Sequence, residues 1–235
     1  MVYFIGMFML GVVALTARGL YFDIFRLTEW GSVFVFLSAA LLLFWVERWQ
    51  QKQDTAFNGS GSGTGYTSRL SDRQSTGIKQ LYRAETIIGS YRRTFKQAWH
   101  RWFVAFPKVE NFFLNIDFDF SQRELRFEEK AGKRWWSNQT EWTIEEGGET
   151  VGDIQTENTV RHAVEFSEVL RMTYRDETYQ IRSPRLSRRI EVRRDKTTIA
   201  TSHRKRHLLT FDVPDLETRS VLLAGMILFR LHFRE

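Results

Sequence analysis

The stretch that decides the fold is Pro214–Phe233, PDLETRSVLLAGMILFRLHF. Pro214-Asp215 opens a helix, with Asp215 as its cap or in its first turn beside Glu217. From Val221 to Phe229 no residue is polar, and Leu231 and Phe233 extend the run. Nine uncharged residues are too few to cross a bilayer, so this is a core helix. A helix that is apolar all round must be enclosed on all sides. What precedes it is a series of short strands, and the natural enclosure is the inside of a barrel.

Those strands read outward from the helix. Phe112, Leu114, Ile116, Phe118 and Phe120 alternate with Asn115, Asp117 and Asp119, a period of two. Leu125–Glu129 is a short partner strand. Arg134–Ile144 is a further strand, and Gly147-Gly148 turns it into Thr150–Thr156. Leu170, Met172 and Tyr174 run to a turn at Arg175-Asp176-Glu177, and Tyr179 and Ile181 return. Ile190 and Val192 lead to a tight turn at Asp195-Lys196, then Thr197–Thr201, and Leu208–Val213 is the last strand. Strands in this succession form a meander that closes into a barrel or sandwich. The expected class is α+β, mainly β: an antiparallel β-barrel over residues 111–235 enclosing its hydrophobic C-terminal helix.

This order of strands, turns and terminal helix resembles the tubby C-terminal domain superfamily, which includes the LURP-one-related proteins and the phospholipid scramblases. The residues that carry the resemblance are VGDIQT from Val151, LRMTYRDETYQIRS from Leu170, RRIEVRRDKTTIATS from Arg188 and HLLTFDVPDLETRSVLLAGMILFRLHF from His207. The resemblance implies a barrel threaded by its last helix. It also implies lipid-linked or membrane-linked roles, since eukaryotic tubby domains bind phosphoinositide headgroups. No headgroup-binding residue carries over one by one.

Ahead of the barrel, residues 1–49 read as a transmembrane hairpin with helices at about 2–22 and 30–49. Val2–Ala17 and Trp30–Val46 are uncharged. Sixteen helical residues cover only about 24 Å, so the first span needs the chain to Phe22, with Arg18 reaching the headgroups. Trp30, Trp45 and Trp49 sit where an interfacial aromatic belt would. A signal peptide fits poorly, because Met-Val-Tyr supplies no positive n-region. Arg18 and Arg26 between the helices match Arg48 and Lys52 after them. The basic domain and the absence of cysteine then favour a cell-membrane protein with a cytoplasmic β domain. Residues 50–83 read as a flexible linker around Asn58–Gly65, NGSGSGTG, which has no GK[ST] and no strand before it to make a phosphate loop.

Residues 84–106 read as a basic amphipathic helix. Ile88, Tyr91, Phe95, Trp99, Trp102 and Phe106 are spaced 3, 4, 4, 3 and 4, and Pro107 ends the run. Arg92, Arg93, Lys96, Trp99 and Trp102 would suit a membrane interface. The alternative is a helix packed on the β domain.

The chain carries 34 Lys and Arg against 28 Asp and Glu, a net charge of +6, and has no cysteine. That composition favours anionic partners and excludes disulfides and cysteine zinc sites. Arg182–Arg206 concentrates the charge: Arg182, Arg185, Arg188, Arg189, Arg193, Arg194, Lys196, Arg204, Lys205 and Arg206 stand against two acids. They form a candidate site for anionic membrane lipids. A solvated barrel exterior, an acidic protein partner and nucleic acid are the alternatives, the last without any recognition motif. Asp117 with Asp119 lacks the further oxygens of a calcium site, and His203 with His207 lacks a third ligand. No catalytic signature occurs, and no cofactor or metal is expected. The expected function is a membrane-anchored, non-catalytic module that binds anionic headgroups. A scaffold for an acidic partner and a lipid-moving or lipid-modifying protein are the alternatives.

Overall fold

The structure is a computed structural model that describes residues 2–22, 27–56, 65–69, 77–97, 100, 113–121, 123–130, 139–157, 168–183, 189–205, 208–214 and 217–233. Contacts divide the chain into two units, Met1–Gln53 with Lys96–Phe112, and Asp54–Phe95 with Phe113–Glu235.

In the first unit, α1 (Val2–Phe22) and α2 (Leu27–Thr55) are helices. Phe4–Phe22 and Thr28–Val46 are each long and apolar enough to cross a membrane. Among the described residues of the two helices only Val33 and Ala40 are buried, while Leu10, Val13, Leu20, Leu41, Leu42 and Trp45 are exposed. Gly11 lets the helices approach: a Cβ there would lie 2.9 Å from Val33 Cγ2. Arg18 Nη1 meets Glu29 Oε2 at 3.1 Å across the turn. The second helix outruns its predicted end at residue 49. Arg48, Gln51, Lys52 and Gln53 all favour helix, so the helix continues beyond its apolar run.

The second unit is a barrel of twelve antiparallel strands: β1 (Tyr66–Arg69), β2 (Lys79–Arg83), β3 (Thr86–Thr94), β4 (Asn115–Phe120), β5 (Arg123–Glu129), β6 (Glu141–Glu146), β7 (Glu149–Thr156), β8 (Val169–Tyr174), β9 (Glu177–Arg182), β10 (Arg189–Arg194), β11 (Thr197–Lys205) and β12 (Leu208–Asp212). Each strand pairs with its sequence neighbours, and β1 closes the ring against β12. The meander therefore closes as a barrel. Two-residue turns link β6 to β7, β8 to β9 and β10 to β11 at one end. Their central residues all have positive φ: Gly147 and Gly148, Arg175 and Asp176, Asp195 and Lys196. Such turns match the right-handed twist of the strands.

The barrel encloses α3 (Arg219–Phe233), whose residues from Val221 to His232 are all buried. The helix starts at the turn end, where Arg123 Nη1 donates to the Glu217 carbonyl at 3.4 Å. It finishes at the far end, where the His232 ring meets Trp142 edge-on at 4.9 Å. Leu114, Ile116, Phe118 and Phe120 point inward around it, as their alternation predicts.

Two expectations fail. Within the expected helix of residues 84–106, Thr86–Thr94 is instead a strand, β3, which pairs with both β2 and β4, while residues 98–99 and 101–106 lie outside the described residues. The β-branched run Thr86-Ile87-Ile88 followed by Gly89 favours a strand. A Cβ on Gly89 would stand 2.7 Å from the Asp119 carbonyl oxygen, so glycine permits that pairing. The spacing of Ile88 and Tyr91 does not mark a helix face: Tyr91 and Arg93 share the inner wall, and Arg92 lies between them on the outer one. Trp99 and Trp102 lie outside the described residues. The linker is also shorter than 50–83. It is bounded by Thr55 and Tyr66, because TSR and KQLYR pair as β1 and β2 despite carrying few apolar residues.

Candidate functional site

The arginines of β9 and β10 come together on the outside of the barrel. Ile190 and Val192 fill the core, so Arg189, Glu191 and Arg193 project outward. Register places Glu191 opposite Arg182 on β9. One carboxylate then holds three guanidiniums: Arg193 Nη2 at 3.2 Å, Arg182 Nη2 at 3.5 Å and Arg189 Nε at 3.7 Å from its oxygens. Glu191 keeps only 14% of its side chain exposed, while the arginines keep 30–44%. The cluster carries a net charge of +2 with its guanidiniums already oriented. His203 lies opposite Arg189 on β11 and extends this face.

The other predicted residues scatter. Arg194 lies at the turn end and pairs with Glu177 at 2.9 Å. Lys196 is exposed in the adjoining turn, and Arg204 is exposed near the other end of β11. Lys205 ends β11. Arg185, Arg188 and Arg206 lie outside the described residues, as does His207. Of the residues expected on a membrane-facing helix, Arg92 is exposed and pairs with Asp117 at 3.7 Å. Arg93 is buried with its guanidinium 5.0 Å from the Phe95 ring centre, and Lys96 is exposed just past β3.

The opposite side of the barrel is acidic. In a ring of twelve strands β4–β5 lie across from β10–β11. Asp117, Asp119, Glu124, Glu128, Glu141, Glu145 and Asp153 all project outward from β4–β7. Asp119 and Glu124 are direct cross-strand partners. Arg126 binds Asp117 at 2.9 Å and offsets part of this charge. A groove of about 430 Å³ crosses this face, lined by Ser90, Arg92, Asp117, Asp119, Glu124 and Glu145 among others. Sequence reading noticed only Asp117 and Asp119. The signal that would reveal the others is the parity of each acid against its buried neighbours, such as Glu124 beside Leu125. Among the described residues no group of three potential metal ligands occurs.

A third cluster clamps the turn end. Glu146 accepts from Arg123 Nε at 2.8 Å, Tyr174 Oη at 2.9 Å and Arg175 Nη2 at 2.9 Å. Arg175 Nη1 also meets Glu217 at 3.5 Å, and Tyr179 donates to Glu177. These contacts fasten the lead-in of α3 to β5, β6 and β8. Burial pushes the Tyr174 and Tyr179 phenols up, and their bonds to Glu146 and Glu177 add to it. The Tyr179 hydrogen bond holds the Glu177 carboxyl below its ordinary 4.5.

These shifts have opposite consequences at the two ends of the pH scale. The raised phenols contribute stability that is full below pH ~10 and lost as pH rises through their folded values. The depressed Glu177 contributes above pH ~4.5 and loses its contribution as pH falls through its folded value. Urea midpoints should therefore fall on both flanks of a plateau between these limits. The double variant Tyr174→Phe, Tyr179→Phe should flatten the alkaline flank, and loss of the Tyr179 hydrogen bond should also weaken the acid flank that Glu177 supplies. An unchanged alkaline flank would refute this assignment.

The comparisons agree with the geometry. The family model of the tubby C-terminal like domain matches residues 66–222. The match begins at the first residue of β1 and runs into α3. No curated protein and no solved structure matches the chain. All twelve strands fall within the match and the enclosed helix begins inside it, and the chain belongs to the tubby C-terminal like family.

Proposed function

We propose that this protein is a membrane-anchored, non-catalytic module whose barrel presses the β9–β11 face against anionic lipid headgroups. The observation that carries the reading is the cluster around Glu191, where three arginines stand preoriented on one outer face. Fixed, partly exposed guanidiniums suit phosphate oxygens, which they bind through paired N–H donors. The acidic face across the barrel is repelled by the same surface, so one orientation is favoured. The helices α1 and α2 supply the anchor by length and composition. Tethering raises the local concentration of the barrel at the surface, so each headgroup contact needs little intrinsic affinity.

The chain has no cysteine, so an introduced one labels uniquely. Thr201→Cys lies on the outer face, opposite Glu191, and Glu124→Cys marks the acidic face. Each full-length variant would carry an environment-sensitive dye in nanodiscs containing a headgroup quencher. With phosphatidylserine present, the dye at residue 201 should be quenched and the dye at 124 should not. Raising the salt from about 0.1 to 1 M shortens the screening length from about 10 to 3 Å and should remove the difference. Equal quenching at both positions, or no dependence on anionic lipid, would reject the reading.

A further inference from the structure

We infer that the barrel has a second anion site, at the end where α3 begins, built from Tyr66, Arg83 and Arg219 and suited to a phosphate group. Tyr66 is the first residue of β1, with β2 and β12 on either side of it. Its side chain points inward and is 3% exposed. Among the described residues its hydroxyl has no hydrogen-bond partner. A buried hydroxyl left in that state destabilises the fold unless something arrives to bind it.

The surroundings specify what could arrive. The Arg83 guanidinium carbon lies 5.4 Å from the Tyr66 ring centre, and that of Arg219 lies 5.6 Å from it. Arg83 is the direct cross-strand partner of Tyr66. Arg219 is the first residue of α3. Two guanidiniums that stay charged at every accessible pH thus converge on one phenol. Both offer only donors, and the phenol offers a donor as well. The N-terminus of α3 adds the positive end of the helix dipole at Arg219. Arg83 is exposed and Arg219 half-exposed, so a ligand can reach them from solvent.

A phosphate matches this set, because its several oxygens can accept from both guanidiniums and the phenol together. The site is separate from the β9–β11 arginines and does not depend on their role. Its phosphate could be free in solution or part of a phosphomonoester lipid.

The test uses the full chain in phosphatidylcholine nanodiscs. One arm adds inorganic phosphate against chloride at matched ionic strength. The other replaces part of the lipid with phosphatidic acid. Thermal unfolding of the barrel is the readout. Phosphate should raise the Tm where chloride does not, and a response confined to phosphatidic acid would identify the lipid source. Tyr66→Phe removes a hydroxyl that has no partner, so it should fold with a Tm at or above that of the parent. Its anion response should weaken about tenfold in apparent Kd, as should that of Arg83→Gln. Phosphate and phosphatidic acid that leave the Tm unchanged, or variants that respond as the parent does, would overturn the site.

Discussion

Gly152→Ala is expected to cost the barrel about 3 kcal/mol, the upper part of the usual range for overpacking. Gly152 lies in the middle of β7, opposite Tyr174 on β8 and Ile144 on β6. A Cβ at this position would stand 2.1 Å from the Thr173 carbonyl oxygen and 3.1 Å from the Tyr174 Cα. Both are backbone atoms of a paired strand and cannot swing aside. Relief requires β7 and β8 to separate, which weakens ladder hydrogen bonds and shifts Tyr174 away from Glu146. Gly225 in α3 is the informative contrast. A Cβ there would meet Ile181 Cδ1 at 2.8 Å and Met172 Sδ at 3.1 Å. Those are the ends of flexible side chains, and methionine adapts readily. Alanine also gains about 1 kcal/mol of helix propensity over glycine. Gly225→Ala should therefore stay within about 1 kcal/mol of the parent, near the ordinary range for tolerated core changes. Urea unfolding of the two variants checks the ranking. At about 2–4 °C per kcal/mol, Gly152→Ala should lower the Tm by roughly 6–12 °C. A larger loss in Gly225→Ala would show that the inner wall, not the β7–β8 pairing, is the tighter constraint.

The elements that were legible from sequence share a physical property: their patterns have one explanation. Val221–Phe229 is apolar on every side, and only enclosure accounts for it. In NIDFDF the buried Ile116, Phe118 and Phe120 alternate with the outward Asp117 and Asp119, and Asp195-Lys196 separates two strands as a tight turn must. The elements that were misread carry patterns with two explanations. In β3 the spacing of Ile88, Tyr91 and Phe95 imitates a helix face, while the burial of Arg93 beside Tyr91 belongs to a strand. The β-branched run Thr86–Ile88 leans towards a strand, but the partners that decide the matter, β2 and β4, are supplied by the tertiary fold. Strands β1 and β2 were hidden for a related reason. Ser68 and Lys79 point into the barrel, so polar residues occupy positions where an apolar signal is sought. The basic cluster was legible as composition but not as geometry. Strand parity placed Arg189 and Arg193 outside, whereas the convergence of Arg182 on Glu191 depends on β9–β10 register. The acidic face is a property of four strands together, and no single segment announces it.

Replacing Arg182, Arg189 and Arg193 with glutamine should weaken binding to anionic vesicles by about two orders of magnitude. Each basic residue near an anionic surface contributes about 1 kcal/mol, and 1.4 kcal/mol is a factor of ten. Residues 66–235 suit the measurement, since the strands and the core cluster of the barrel fall within them. Glutamine retains N–H donors for Glu191, which limits the structural disturbance. The decisive comparison is Glu191→Gln. This carboxylate now offsets one of the three positive charges. Without it the face gains one unit of charge, so affinity for anionic vesicles should rise about fivefold. The same change loosens the arginines from the geometry in which Glu191 holds them. If preorientation matters more than charge, Glu191→Gln will bind no better than the parent, or worse. Vesicle sedimentation at low and high salt separates the cases. A charge effect disappears at high salt, whereas a defect from lost orientation persists in the salt-resistant part of binding. If neither the triple variant nor Glu191→Gln alters sedimentation, the β9–β11 face is solvated surface and the proposed headgroup contact is rejected.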